Sequence, residues 1–451
     1  FTVKAVRGSL TNGIISNPFL ERSFTTESFE MTVKFHDDGT WSYDQTTTMI
    51  IPNYDAPFEH RDRNRLTKIA EPKLNPTAAA EKEDECSIVL LDKSGNTACV
   101  IDIPAEYSTG SLYSVRLHGF CGNEYAYYFR INGKRCIDPY ATRIFGREKW
   151  NDKTRSDNDY EIACGIDSSD FDWKYDSFPE ITRDRMKLYK LHVRGFSMDV
   201  SGNKKHKGTF EAVSDRINYI KKLGFTSILL MPVYEFEEMT IPVKHDIPEY
   251  AKPKYSLKDE QSVHTENDKV NFWGYTSGNY FAVKASYASD ASDASNELRR
   301  LVERLHKNGM ECIVEMYFPD RTDHNLILDA LRYWVMSFHV DGFKLLGDRL
   351  PVTAIVQDAL LSRTKILYDG FDMSVVPQNR TYENLYIDKE EYQFAARMML
   401  NHINCNMYEL LNQQKKQGEN VGFINYISSN NGFTLSDLFM YNDRHNEANG
   451  E

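Results

Sequence analysis

The sequence predicts an α/β chain whose larger part, from about residue 180 to 451, is a parallel (β/α)8 TIM barrel preceded by antiparallel, β-rich segments. Three observations lead there. From about residue 180, short apolar runs such as 228–233 (I-L-L-M-P-V) alternate with one-faced helical stripes, the order that a parallel sheet with crossover helices requires. The 451 residues exceed one ordinary domain, and a barrel of about 250 residues leaves room for one or two smaller modules. The first 80 residues instead place Thr, Phe and Tyr between turn signals, which suits short antiparallel strands.

In the opening segment, residues 11–13 (T-N-G) and 37–39 (D-D-G) are turns, and 30–35 with 40–43 read as a hairpin around the second of them. Residues 78–84 (A-A-A-E-K-E-D) look like a linker. A second module, 85–165, carries the apolar runs 88–91 and 126–131, the latter followed by an Asn132-Gly133 turn signal. Within the barrel segment, residues 296–309 place Leu298, Leu301, Val302 and Leu305 on one helical face and end in Gly309, a C-terminal cap, before the next strand begins.

Composition narrows the function. A balance of 41% hydrophobic and 27% charged residues fits a globular protein with a substantial core. A net charge of -12 offers no basic stripe to displace phosphate counterions, so nucleic acid is excluded as a partner. No apolar run is long enough to span a membrane. Seven cysteines without C-x-x-C pairs point to free thiols and a reducing, cytoplasmic setting, although Phe1 leaves room for a trimmed signal peptide. Nothing reads as a metal site, and no cofactor is expected.

Five segments carry a family resemblance. Residues 189–197 (Y-K-L-H-V-R-G-F-S), 223–233 (L-G-F-T-S-I-L-L-M-P-V), 272–282 (F-W-G-Y-T-S-G-N-Y-F-A), 340–347 (V-D-G-F-K-L-L-G) and 424–435 (I-N-Y-I-S-S-N-N-G-F-T-L) recur in the order found in glycoside hydrolase family 13, the α-amylase superfamily. Residues 272–282 and 424–435, the latter with 445–451, resemble the isoamylase, pullulanase and glycogen-debranching type. Residues 85–165 are similar to the β-sandwich, family 48 carbohydrate-binding module that precedes such barrels. The resemblance also implies that strand eight and the C-terminal β-domain of the family are missing after 433–451, so the sequence is expected to be a fragment.

Carried over residue by residue, the resemblance implies a degenerate site. The family strand reads V-D-G-F-R-F-D, which puts Lys344 on its arginine and Leu346 on the aspartate that attacks the sugar. Residues 311–320 lie on V-I-x-D-V-V-x-N-H, with Asp320 at the substrate-binding histidine. Residues 365–372 lie on E-P-W-D or E-G-W-D, which places Asp369 on the general acid. Asn430 and Asn431 replace the family's H-D. Retaining hydrolysis needs two carboxyl groups about 5 Å apart, and a leucine cannot form the glycosyl ester. No member of the catalytic set survives unchanged.

Two acids are rescue candidates, Glu315 and Asp348. Asp348 lies two residues beyond Leu346 and about 6 to 7 Å further along the strand, so it needs a bent strand end to act as nucleophile. Lys344 faces inward and needs an acid: Glu315, Asp348 and Asp369 are the partners that strand order permits, unless it reaches water at the mouth. Tyr275, aligned with a sugar-stacking tyrosine, and His192, near the cleft floor, are the expected substrate contacts. The implied function is non-catalytic binding of α-glucan polysaccharide or maltooligosaccharide, or regulation of an active debranching enzyme as its partner. The alternatives are an active α-1,6-glucosidase with a rearranged acid pair, and a protein-interaction scaffold.

Overall fold

Seven strands, Leu188–Leu191, Ser227–Leu230, Glu311–Tyr317, Gly342–Leu346, Lys365–Leu367, Leu385–Asp388 and Gly422–Ile424, form one all-parallel sheet whose spatial order is the sequence order. This computed structural model describes residues 85–103, 125–152, 162–198 without 168, 206–239, 270–371, 383–400, 407–416, 418, 421–430 and 435–440. It also describes strands at 2–6, 28–35, 41–43, 77–79, 108–109 and 112–114.

Strand alternation sorts the side chains into two cores. Ile228, Leu230, Cys312, Val314, Phe343, Leu345 and Ile366 pack outward against Leu298, Leu301, Val302 and Leu305 of the helix Ala294–Lys307. They also meet Ile327, Leu331 and Trp334 of the helix His324–Phe338. Leu188, Leu229, Ile313, Leu367, Tyr386 and Ile424 point the other way and join one cluster, although they come from six different strands, the first and seventh included. Across a flat sheet the first and seventh strands would lie about 29 Å apart at ~4.8 Å per strand. The sheet is therefore curled upon itself, as an incomplete barrel requires.

The expected elements around this sheet are present. The helix Ala294–Lys307 gives way through Gly309, at φ 69°, to the strand Glu311–Tyr317. Only Phe318 to Asp323 separate that strand from the next helix, where Asp323 accepts from the N–H groups of Asn325 and Leu326. The sixth strand, Leu385–Asp388, has no counterpart in the sequence reading.

N-terminal to the sheet, Ser28–Phe35 pairs with Trp41–Tyr43 as the expected hairpin. Six strands between Cys86 and Gly165 form an antiparallel sheet in which Asn132 and Gly133, both at positive φ, make the two-residue turn between Ala126–Ile131 and Lys134–Cys136. Thr77–Ala79 pairs with Leu112–Ser114, so a strand lies at the start of the expected linker and joins the opening segment to the second module. This module meets the barrel segment through Ala282 and through the hydrogen bond from Tyr140 to Asp329 (3.2 Å), and just beyond the module Asp167 pairs with Arg299 (2.9 Å). Among the described residues five cysteines are free, and no helix is long and apolar enough to cross a membrane.

Candidate functional site at the C-terminal ends of the strands

Side chains two residues beyond the inner apolar cluster return to the same face, so Lys190, Glu315, Asp369 and Asp388 follow Leu188, Ile313, Leu367 and Tyr386. With Lys344 of the fourth strand they form a charged layer above an apolar one. All five line a cavity of about 1700 Å³ that runs inside the curl and is also bordered by Tyr275, Asp320, Leu346, Asp348 and Asn430. In parallel barrels the strand C-termini carry the working face.

Glu315, whose side chain has no exposed surface, is held by Lys190 of the first strand at 2.6 Å. The same ammonium donates to Asn430 (2.7 Å) and to the Tyr275 hydroxyl (3.2 Å), while Tyr275 donates to Glu315 (2.8 Å). Burial, then the Glu315 charge, pushes the Tyr275 phenol up, which keeps it a donor. Glu315, a rescue candidate for nucleophile, is thus spent on an ion pair and a phenol.

Lys344 takes none of the three acids expected for it. It is ion-paired with Asp388, at the end of the sixth strand that the sequence reading lacked. Burial, the largest influence, opposes its charge, but Asp388 together with Glu315 and Asp369 overcomes it and the ammonium titrates above its ordinary range. Asp369 is exposed at the mouth and accepts the backbone N–H of Asp388 at 3.0 Å. Partial desolvation first, and the Asp388 charge second, raise its carboxyl above the usual range.

The fourth strand ends at Leu346, which is half-buried and accepts from the Phe318 N–H at 2.8 Å. Gly347 follows at φ 140°, and a Cβ there would lie 2.2 Å from the Phe318 carbonyl oxygen, so only glycine fits. The chain leaves the strand line at this glycine, and Asp348 stands exposed on the cavity rim beyond it. Asp320 is likewise exposed on the rim. Asn431 lies outside the described residues.

His192 differs from the expectation. Its ring is buried, stacked on Phe272 with centroids 4.0 Å apart. Nδ1 accepts from the Gly195 N–H (3.0 Å), so Nε2 carries the proton and meets the Phe272 carbonyl (2.6 Å) and the Tyr287 hydroxyl (2.9 Å). Both ring nitrogens are taken by the protein, which makes His192 a support for the turn that carries Tyr275. Burial pushes its imidazole down to about 4, so it is neutral near pH 7.

Sequence reasoning missed Lys190 and Asp388. Both carried a signal: a charged residue at an inward position of an apolar strand requires a counter-ion. Residues 385–388 (L-Y-I-D) also repeat the apolar-then-aspartate pattern of 366–369 (I-L-Y-D). No group of three or more His, Cys, Asp or Glu side chains is placed to hold a metal among the described residues.

Residues 200–325 match the α-amylase catalytic-domain family. The chain is 24% identical over 442 residues to the chloroplastic isoamylase 3 of Oryza sativa subsp. japonica, covering 76% of this chain and 53% of that protein. It is 24% identical over 464 residues to the glycogen debranching enzyme of Enterobacter sp. (strain 638), covering 83% and 66%. It thus spans about half the length of the plant isoamylases it matches. Among solved structures, the Group B Streptococcus pullulanase SAP superposes with a TM-score of 0.58 at 19% identity, over 81% of this chain and 56% of that one. The product complex of the pneumococcal glycogen-degrading virulence factor SpuA gives 0.58 at 19%, over 81% and 45%.

Proposed function

Because the chain belongs to the α-amylase superfamily (glycoside hydrolase family 13), with relatives of the isoamylase, glycogen-debranching and pullulanase types, we propose that it serves α-glucan metabolism by binding starch- or glycogen-like chains without cutting them. Acting on an active debranching enzyme as a regulatory partner is the second form of the same reading. The observation that carries it is Leu346, an alkyl side chain at the inward position where the family resemblance puts the nucleophile.

The surrounding charges support it. Retaining hydrolysis uses two carboxyl groups about 5 Å apart, one of them free to attack carbon. Glu315 is neutralised by Lys190 and Asp388 by Lys344, so neither is a free nucleophile. In this reading the seven parallel strands belong to an amylase-type (β/α)8 barrel spanning 180–451. Residues 85–165 are its family 48 module-like support, and residues 1–80 have no assigned role. Tyr275 is one of the aromatic side chains on the cavity wall, and in this reading it contacts a sugar, because C–H faces of glucose pair with flat apolar rings.

Asp369 favours the rival, an active α-1,6-glucosidase, since a carboxyl held above its usual range suits a general acid. Two measurements decide. Purified protein is expected to be retarded in glycogen- or amylopectin-containing native gels and to release no reducing ends from pullulan or limit dextrin. Reducing-end release that Asp369→Ala abolishes would establish the rival, and mobility unchanged by polysaccharide would leave only a protein scaffold.

A further inference from the structure

We infer that Asp388 is a positioning residue: it draws the Lys344 ammonium across to the sixth strand and leaves Asp369 as the carboxylate of the inward layer that has no ion pair among the described residues. This deepens the reading of the cavity as a glucan site, on which it rests for its purpose.

The register shows why this choice is not forced by proximity in the sheet. Lys344 stands opposite Glu315 on the third strand and Leu367 on the fifth. The acids level with it on its two neighbouring strands are therefore Glu315 and, two residues beyond Leu367, Asp369, while Glu311 at the start of the third strand is paired with Lys365. Glu315 is unavailable because Lys190 holds it. Between the remaining two, Lys344 passes over the fifth strand to Asp388, whose side chain is 15% exposed, rather than to Asp369, which is exposed. An ammonium gains more from the less hydrated carboxylate, because water screens the other. Asp388 meanwhile donates its own N–H to Asp369, so both acids stay at one place around the same cation.

Asp369 is faced by Asp388 from the sixth strand, Lys344 from the fourth and Glu390 from the start of the helix Glu390–Leu400. Tyr368, which also feels Asp348, and Tyr426 lie beside it. Burial and then the Asp388 charge raise its carboxyl, while Lys344, paired with Asp388, lowers it only in part. The consequence is an accessible carboxyl group at the cavity mouth, able to accept from or donate to sugar hydroxyls, in place of one locked to a lysine.

The test is a carboxyl-detected NMR titration of 13C-labelled full chain, with the Asp369 signal assigned by its loss in Asp369→Asn, and it needs no glucan. In Asp388→Asn the freed ammonium moves to Asp369, and the midpoint falls by at least about half a pH unit. In the Lys344→Met background the same Asp388→Asn change gives a clearly smaller fall, because only the Asp388 charge is lost. Equal falls in the two backgrounds, or no fall, overturn the assignment. If Asp388→Asn does not fold, Lys344→Met alone decides: a small change in the Asp369 midpoint supports the assignment, and a rise of a full unit shows that Lys344 already serves Asp369. Failure of glycogen retardation leaves these outcomes untouched, so the two ideas fail separately.

Discussion

The Lys190 ammonium, on the first strand of the parallel sheet, lies 2.7 Å from the side-chain oxygen of Asn430, which follows the seventh. The first strand is thus tied by a direct hydrogen bond to the segment that follows the seventh. The same lysine reaches Glu315 on the third strand, so one cation ties three parts of the curl across its interior. Lys344 does likewise between the fourth and sixth strands. Each lysine skips a strand, and the layer above the apolar interior is closed by charge pairs.

Lys190→Met should therefore destabilise the fold well beyond an ordinary surface change. It leaves Glu315, with no exposed side-chain surface, with the Tyr275 hydroxyl and the nearby Lys344 ammonium, which is already paired with Asp388. Breaking a buried pair from one side costs about 3–5 kcal/mol, and the partly exposed lysine argues for the lower end. Lys190→Met with Glu315→Gln removes both charges and should recover most of that loss. Urea denaturation of the two variants measures it, and equal losses would mean that the pair is not the cause.

Much of the fold was legible because apolar alternation and family-like motifs coincide. Strands containing Leu191, Ile228, Val314, Phe343 and Ile366 each sit in such a run, and the hairpin joining Phe35 to Trp41 has its own turn signal. The sixth strand was not legible: 385–388 has no family-like motif beside it. Asp388, and with it the partner of Lys344, was lost for that reason. His192 does line the cavity, but a histidine near a cleft looks the same in sequence whether its nitrogens face a ligand or the Gly195 N–H and the Phe272 carbonyl. Leu346 stood out in the sequence because the family resemblance puts the nucleophile at its place.

Gly274→Ala tests the turn that presents Tyr275. Gly274 sits at φ 76°, and a Cβ there would lie 2.5 Å from the Phe236 ring, which is fully buried and cannot swing away. Left-handed strain and forced repacking together should cost roughly 2–4 kcal/mol. The displaced turn should also loosen the Tyr275–Glu315 hydrogen bond, so retardation in glycogen gels should weaken along with the fall in Tm. A variant with normal stability and normal retardation would show that the turn has room that this packing denies it.

His192 predicts a pH dependence whose sign can be worked out. In the unfolded chain its imidazole takes up a proton near pH 6.5. In the folded state burial holds it down to about 4, with Nε2 already committed to the Phe272 carbonyl and Nδ1 to the Gly195 N–H. Between those two values the unfolded state binds more protons than the folded one, so stability rises with pH across the window. The contribution is fully present above about pH 6.5 and is lost as the pH falls towards 4, at ~1.4 kcal/mol per unit, or roughly 3 kcal/mol in all. His192→Gln, which keeps an N–H for the Phe272 carbonyl but cannot titrate, should lower stability at pH 7.5 and flatten its slope between pH 6.5 and 4. Denaturation midpoints measured at half-unit steps give that slope directly. An unchanged slope in the variant would assign the acid sensitivity to other groups and place the His192 ring in contact with water.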